Sequence, residues 1–139
     1  MKRLIILIYL HLYKEIMNST KKIMIVDDDE GILDALSMML QYKGYEVVTC
    51  TNGNTILAMQ QDYPDLLLLD IWMSGIDGRN VCRQLKEKIQ TKKIPIIMIS
   101  ASKDIERSAI DSGADDFLAK PFEMNELIKK IELNIIKAA

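Results

Sequence analysis

The sequence predicts an α/β fold, (βα)5 in organisation, with a doubly wound five-stranded parallel sheet covered on both faces. Three observations carry this expectation. From Lys21 onward, five apolar runs of strand length alternate with five segments of helical period. The runs are rich in Ile, Leu, Val and Met and mostly lack polar alternation, which is how strands buried on both faces read. Two of them, Ile23-Met24-Ile25-Val26 and Leu66-Leu67-Leu68-Leu69, run straight into aspartates. Open α/β sheets hold their ligands just outside such strand ends.

Residues 1–20 stand outside this pattern. Residues 4–13 are apolar apart from His11, so a helix made of them has no polar side. The run covers about half of the ~20 residues that a membrane-spanning helix needs, and Lys14 and Glu15 end it, so no span is expected. Lys2 and Arg3 precede it as in a signal peptide, but no small-residue cleavage pattern follows before Lys21. Residues 1–20 are therefore read as an extension outside the domain, with Met17 as the natural start and residues 1–16 as an upstream or poorly ordered appendage. The domain itself is expected over 21–139.

The predicted strands are 22–27, 45–50, 65–70, 94–99 and 116–119. The first helix is expected over 30–43: Ile32, Leu33, Leu36, Met39 and Leu40 make one apolar face, Asp29 suits the N-cap and Gly44 the stop. A short second helix fits 54–61, between Asn52-Gly53 and Pro64, and a third fits 78–89 with Val81, Cys82, Leu85 and Ile89 inward. The fourth, 104–112, has only a thin stripe of Ile105, Ala109 and Ile110, which marks it as the mobile element. The fifth, 123–137, repeats Met124, Leu127, Ile128, Ile131 and Ile135 at helical spacing.

Composition narrows the function. Apolar content of 49%, charged content of 27% and a net charge of −2 suit one soluble domain and give no basic stripe for nucleic acid. Cys50 and Cys82 lack metal-ligand spacing and read as free thiols, which suits a reducing cytoplasm. With His11 as the sole histidine, neither a histidine metal centre nor a Ser-His-Asp arrangement can be built.

The strand ends carry the chemistry: Asp27 and Asp28 after the first strand, Asp70 after the third, Ser100 after the fourth and Lys120 after the fifth. Taken singly, each reads as a cap, a turn residue or a solvated charge. Taken together, a parallel sheet brings them to one edge, where two carboxylates about 4 Å apart repel by roughly 4 kcal/mol at an effective dielectric near 20. A hard divalent cation removes that penalty, and Mg2+ is the expected cofactor because carboxylates, waters and phosphate oxygens are its usual ligands. Lys120 and Ser100 then suit a phosphoryl group, and a carboxylate can attack phosphorus to give an aspartyl-phosphate. No Gly-rich phosphate loop is present, which disfavours a nucleotide as donor and points to a phosphoprotein.

These residues and the motifs around them resemble the receiver domain of two-component response regulators, which implies a CheY-like, flavodoxin-like sandwich with strand order 2-1-3-4-5. The resemblance spans about 21–137. It rests on Ile25-Val26-Asp27-Asp28-Asp29-Glu30, Leu69-Asp70-Ile71-Trp72-Met73-Ser74-Gly75-Ile76-Asp77-Gly78, Pro95-Ile96-Ile97-Met98-Ile99-Ser100-Ala101 and Gly113-Ala114-Asp115-Asp116-Phe117-Leu118-Ala119-Lys120-Pro121-Phe122. It implies Asp70 as phosphoacceptor, Asp28 and Asp70 as direct Mg2+ ligands, Asp27 as a water-mediated helper and the Trp72 backbone carbonyl as a further ligand. Ser100 and Lys120 would bind the phosphoryl group, Ser100 and Phe117 would form the switch, and Lys120-Pro121 would be cis. Phe117 has the alternative of a permanently packed aromatic, since no phenolic oxygen holds it outward.

Two positions depart from the family pattern. Ser74 stands where proline is usual, which predicts a looser loop after Asp70. Trp72, two residues past the acceptor, is expected to shield the acyl-phosphate from water by its bulk.

The resemblance implies a partner histidine kinase, an unidentified downstream protein reached through the face of the fourth helix, fifth strand and fifth helix, and no direct contact with nucleic acid. Homodimerisation through that same face occurs in the family and is left open. The runner-up function is a phosphorelay intermediate that hands the phosphoryl group to a histidine phosphotransfer protein. A haloacid-dehalogenase-type phosphatase would show an acid where Trp72 stands, and the complete acidic set argues against a pseudo-receiver. The chain catalyses its own phosphorylation and dephosphorylation in this reading, without being a conventional enzyme. Whether it acts alone or is part of a longer regulator is open from the sequence.

Overall fold

Strand alternation sorts the apolar side chains of residues 22–119 onto two faces, and the helices follow. A computed structural model describes the backbone of residues 1–139 and all side chains except those of Met17 and Asn18, so the expected start at Met17 lies outside the described residues. The domain contains β1 (Lys22–Val26), α1 (Glu30–Tyr42), β2 (Glu46–Cys50), α2 (Asn54–Ala58), β3 (Leu66–Asp70), α3 (Gly78–Glu87), β4 (Ile96–Ser100), α4 (Glu106–Asp111), β5 (Asp116–Ala119) and α5 (Met124–Ala138). The five strands form one parallel sheet in the order β2-β1-β3-β4-β5. Between β3 and α3 lies a small antiparallel ladder that pairs Trp72–Met73 with Ile76–Asp77.

The sheet separates two cores. On one face Met24, Val26, Leu67, Leu69, Ile96, Met98 and Phe117 pack with Ile56 of α2, Val81, Cys82 and Leu85 of α3 and Ala109 of α4. On the other, Ile23, Ile25, Leu66, Leu68, Ile97, Ile99 and Leu118 pack with Leu33, Leu36 and Leu40 of α1 and Leu127, Ile131 and Ile135 of α5. Period-two alternation in the strands thus feeds two helical layers, as a doubly wound fold requires.

Several expectations need correction. Strand β2 is an edge, with Val48 exposed, so the sheet is not fully covered there. Helix α2 stops at Ala58, where Met59 turns extended and its carbonyl accepts the Tyr63 hydroxyl hydrogen bond at 2.8 Å. Helix α3 stops at Glu87, and Ile89, expected inward, is 80% exposed. Met39 and Ile110 also point outward. The fourth segment is a 3-10 turn, Lys103–Ile105, leading into a six-residue helix that buries only Ala109.

The N-terminal segment is a helix, Lys2–Asn18, whose apolar side chains from Leu4 to Tyr13 are exposed. It is less uniform than expected: Arg3, His11, Lys14 and Glu15 fall on one side at helical period, and His11 Nε2 lies 3.8 Å from Glu15 Oε1. Among the described residues no helix is long and apolar enough to cross a membrane.

Candidate functional site

The register of the sheet assembles the site. Val26 pairs with Leu69 and Asp70 with Ile99, so β1 and β3 deliver Asp27 and Asp70 side by side, while Ser100 pairs with Ala119 on the next two strands. Backbone bonds continue the pairing past the strand ends: Asp27 N–H donates to Cys50 O at 3.1 Å, Ile71 N–H to Ile99 O at 3.1 Å and Lys120 N–H to Ser100 O at 2.8 Å. The order β2-β1-β3-β4-β5 is what puts all of these at one edge.

Carboxylate oxygens of Asp27, Asp28 and Asp70 lie within 4.8 Å of one another. Asp27 and Asp70 are buried, and Asp28 is exposed at the rim. Lys120 Nζ donates to Asp27 Oδ2 at 3.2 Å and stands 3.7 Å from Asp70 Oδ1, so one ammonium faces two buried carboxylates. That charge is not enough for Asp70. Burial, followed by repulsion from Asp27 and Asp28 and only partly offset by Lys120, pushes its carboxyl up to about 6. A group of three acids short of positive charge, with one of them hard to ionise, fits a divalent cation by its donor chemistry.

The remaining residues expected at the site are placed as follows. Ser100 is buried, with Oγ accepting from Ser102 N–H at 3.2 Å. Phe117 is buried in the core that holds Met98 and Ala109, the inward orientation. The Lys120-Pro121 bond is cis. Asp29, separated from its two neighbours in function, caps α1 by accepting from Gly31 N–H at 2.9 Å and Ile32 N–H at 3.2 Å. Trp72 is 55% exposed, and its ring lies under the Arg79 guanidinium, 4.8 Å from the ring centroid.

The loop after Asp70 is tighter than its missing proline predicts. Ser74 N–H and Oγ–H both donate to Asp28 Oδ2, at 3.0 Å and 2.9 Å. Gly75 turns the chain with φ +72, and Gly78 N–H donates to Ile71 O at 2.7 Å. Gly78 sits so close to β3 that a Cβ there would run into the Asp70 carbonyl.

Two further features were not anticipated from sequence. Arg79 chelates Asp77 through Nε and Nη2 and donates from Nη1 to Ser108 Oγ of α4 at 2.8 Å, joining the loop after Asp70 to that helix. The Arg79 hydrogen bonds hold the Asp77 carboxyl below its usual range. Beneath β5, buried Asn134 donates to Asp116 Oδ2 at 3.0 Å beside Lys130, which donates to Oδ1 at 3.0 Å. Only Ser74, noticed as a departure from proline, carried a signal in the sequence.

Comparison with known proteins agrees with this fold. The family model described as the response regulator receiver domain matches residues 23–132. A response regulator from Chloroflexus aurantiacus J-10-fl is 31% identical with a TM-score of 0.80, covering 85% of this chain and 99% of that one. Chemotaxis protein CheY4 of Vibrio cholerae is 30% identical with a TM-score of 0.75, covering 83% and 98%. The receiver domain of sensor histidine kinase PA1611 from Pseudomonas aeruginosa PAO1, with a magnesium ion coordinated in its active site cleft, is 26% identical with a TM-score of 0.74, covering 84% and 98%.

Proposed function

Because the chain belongs to the response regulator receiver family, we propose that it takes a phosphoryl group from the phosphohistidine of a sensor kinase onto Asp70 and signals through the face of α4, β5 and α5. The observation that carries this reading is the Asp70 carboxylate itself. It is buried at the end of β3, beside two further acids, with the Lys120 ammonium 3.7 Å away.

The chemistry follows from the side chains. An Asp70 oxygen attacks phosphorus in line, the new P–O bond forms as the P–N bond to imidazole breaks, and the imidazole departs as the leaving group. Lys120 is poised to follow the negative charge from Asp27 and Asp70 to the phosphoryl oxygens. Ser100 offers a hydroxyl at the neighbouring strand end. Asp27, Asp28, Asp70 and the Trp72 carbonyl would hold Mg2+, which when bound supplies positive charge against the phosphoryl group. Positioning and electrostatics account for most of such a transfer.

Phe117 already lies inward and Ser100 is buried, so the switch in this chain rests on Ser100 and α4 more than on a swing of the aromatic ring. Two free thiols support a cytoplasmic setting.

Incubation with acetyl phosphate and Mg2+ should phosphorylate the wild-type chain on Asp70, and Asp70→Asn should reduce labelling to background. Label that persists in Asp70→Asn would reject Asp70 as acceptor.

A further inference from the structure

We propose that Ser74 is a positioning residue for the cation site, locking Asp28 in the orientation that favours Mg2+ over larger cations. This rests on the reading of Asp27, Asp28 and Asp70 as Mg2+ ligands.

The two donors of Ser74 converge on a single oxygen, Asp28 Oδ2, across 46 positions of sequence. Among the described residues, no hydrogen bond reaches Asp28 Oδ1. Asp28 is exposed, and an exposed aspartate otherwise samples several side-chain rotamers. Two bonds to one oxygen select one of them and leave the other oxygen for a ligand role.

The donors are themselves fixed. The Trp72–Met73 and Ile76–Asp77 ladder closes the loop, and Gly78 N–H ties its far end back to Ile71 O at 2.7 Å. Asp77, as N-cap of α3, holds the exit by accepting from Arg79 N–H at 2.9 Å. A proline at position 74 could supply neither the amide nor the hydroxyl. Ser74 therefore exchanges a fixed φ for a direct hold on a metal ligand, and hydrogen-bonded carboxylate ligands bind metal more tightly than loose ones.

Orientation also bears on selectivity. Mg2+ demands near-octahedral geometry with short bonds, whereas Ca2+ accepts variable coordination. Loss of the Ser74 hydroxyl should therefore weaken Mg2+ binding more than Ca2+ binding.

Isothermal titration calorimetry of the full chain with MgCl2 and with CaCl2 tests this in the wild type, Ser74→Ala, Ser74→Thr and Asp28→Asn. Ser74→Ala should bind Mg2+ roughly tenfold more weakly, with a smaller loss for Ca2+, and Ser74→Thr should restore both the affinity and the ratio. Unchanged or tighter Mg2+ binding in Ser74→Ala, or equal losses for the two cations, would overturn the positioning role while leaving the cation site standing. Asp28→Asn binding Mg2+ as tightly as wild type would instead overturn the cation site, and the role of Ser74 with it.

Discussion

The residue that governs the site is Asp70, because it is asked to be buried, ionised and next to two other acids at once. Its carboxyl is pushed up to about 6, first by burial and then by Asp27 and Asp28. A carboxyl whose folded value lies above its unfolded one binds more protons in the folded state between the two values, so metal-free stability falls as pH rises from about 4 through about 6. Metal-free Asp70→Asn should therefore be more stable than wild type at pH 7.5, by on the order of 1–3 kcal/mol, and the difference should shrink towards zero below pH 4. Urea unfolding across that range measures it; a gap independent of pH would show that Asp70 is not the strained group. Asp29 illustrates the opposite outcome within the same acidic run. Its carboxylate is spent on capping α1, and the sequence pattern alone identifies that role.

At the scale of elements, the segment between β3 and α3 does more than connect. It brings Ser74 to Asp28, stacks Trp72 under Arg79 and, through Arg79 and Ser108, reaches α4. Gly78 is the hinge of this arrangement, for its lack of a side chain lets α3 start against the Asp70 carbonyl. Gly78→Ala should cost about 1–3 kcal/mol of stability, the usual penalty of overpacking, and displace Asp70 at the same time. Urea unfolding and acetyl phosphate labelling of one sample check both; a stable, fully labelled variant would show that the loop can yield. The short α4, with a single buried side chain and a 3-10 entry, has little packing of its own. Its thin apolar stripe was legible in the sequence, but its tether through Arg79 was not.

At the scale of the whole molecule, the domain and the N-terminal helix are separate matters. Helix Lys2–Asn18 leaves its apolar side chains from Leu4 to Tyr13 exposed, and the two cores contain none of them. Removal of residues 1–15, all exposed, should leave the unfolding free energy of the domain from urea titration within about 0.5 kcal/mol of the full chain, as expected for changes away from any packed feature, and should improve solubility. A large loss of stability would show that the helix packs on the domain.

Local pattern encodes the five apolar runs, the helical periods between them, the Asp29 cap, the Gly44 stop and the acids, hydroxyl and ammonium that end the strands. Because parallel strands share one direction, groups at their ends must share one edge, and so the candidate site was legible in the sequence. Tertiary structure decided what depends on neighbours distant in the chain. It made β2 an edge, left Ile89 and Met39 in solvent, paired Asn134 with Asp116 and turned Ser74 from a missing proline into a clasp on Asp28. Hydrogen bonds between residues 46 positions apart leave no periodicity in a sequence, and only the fold brings such partners within reach.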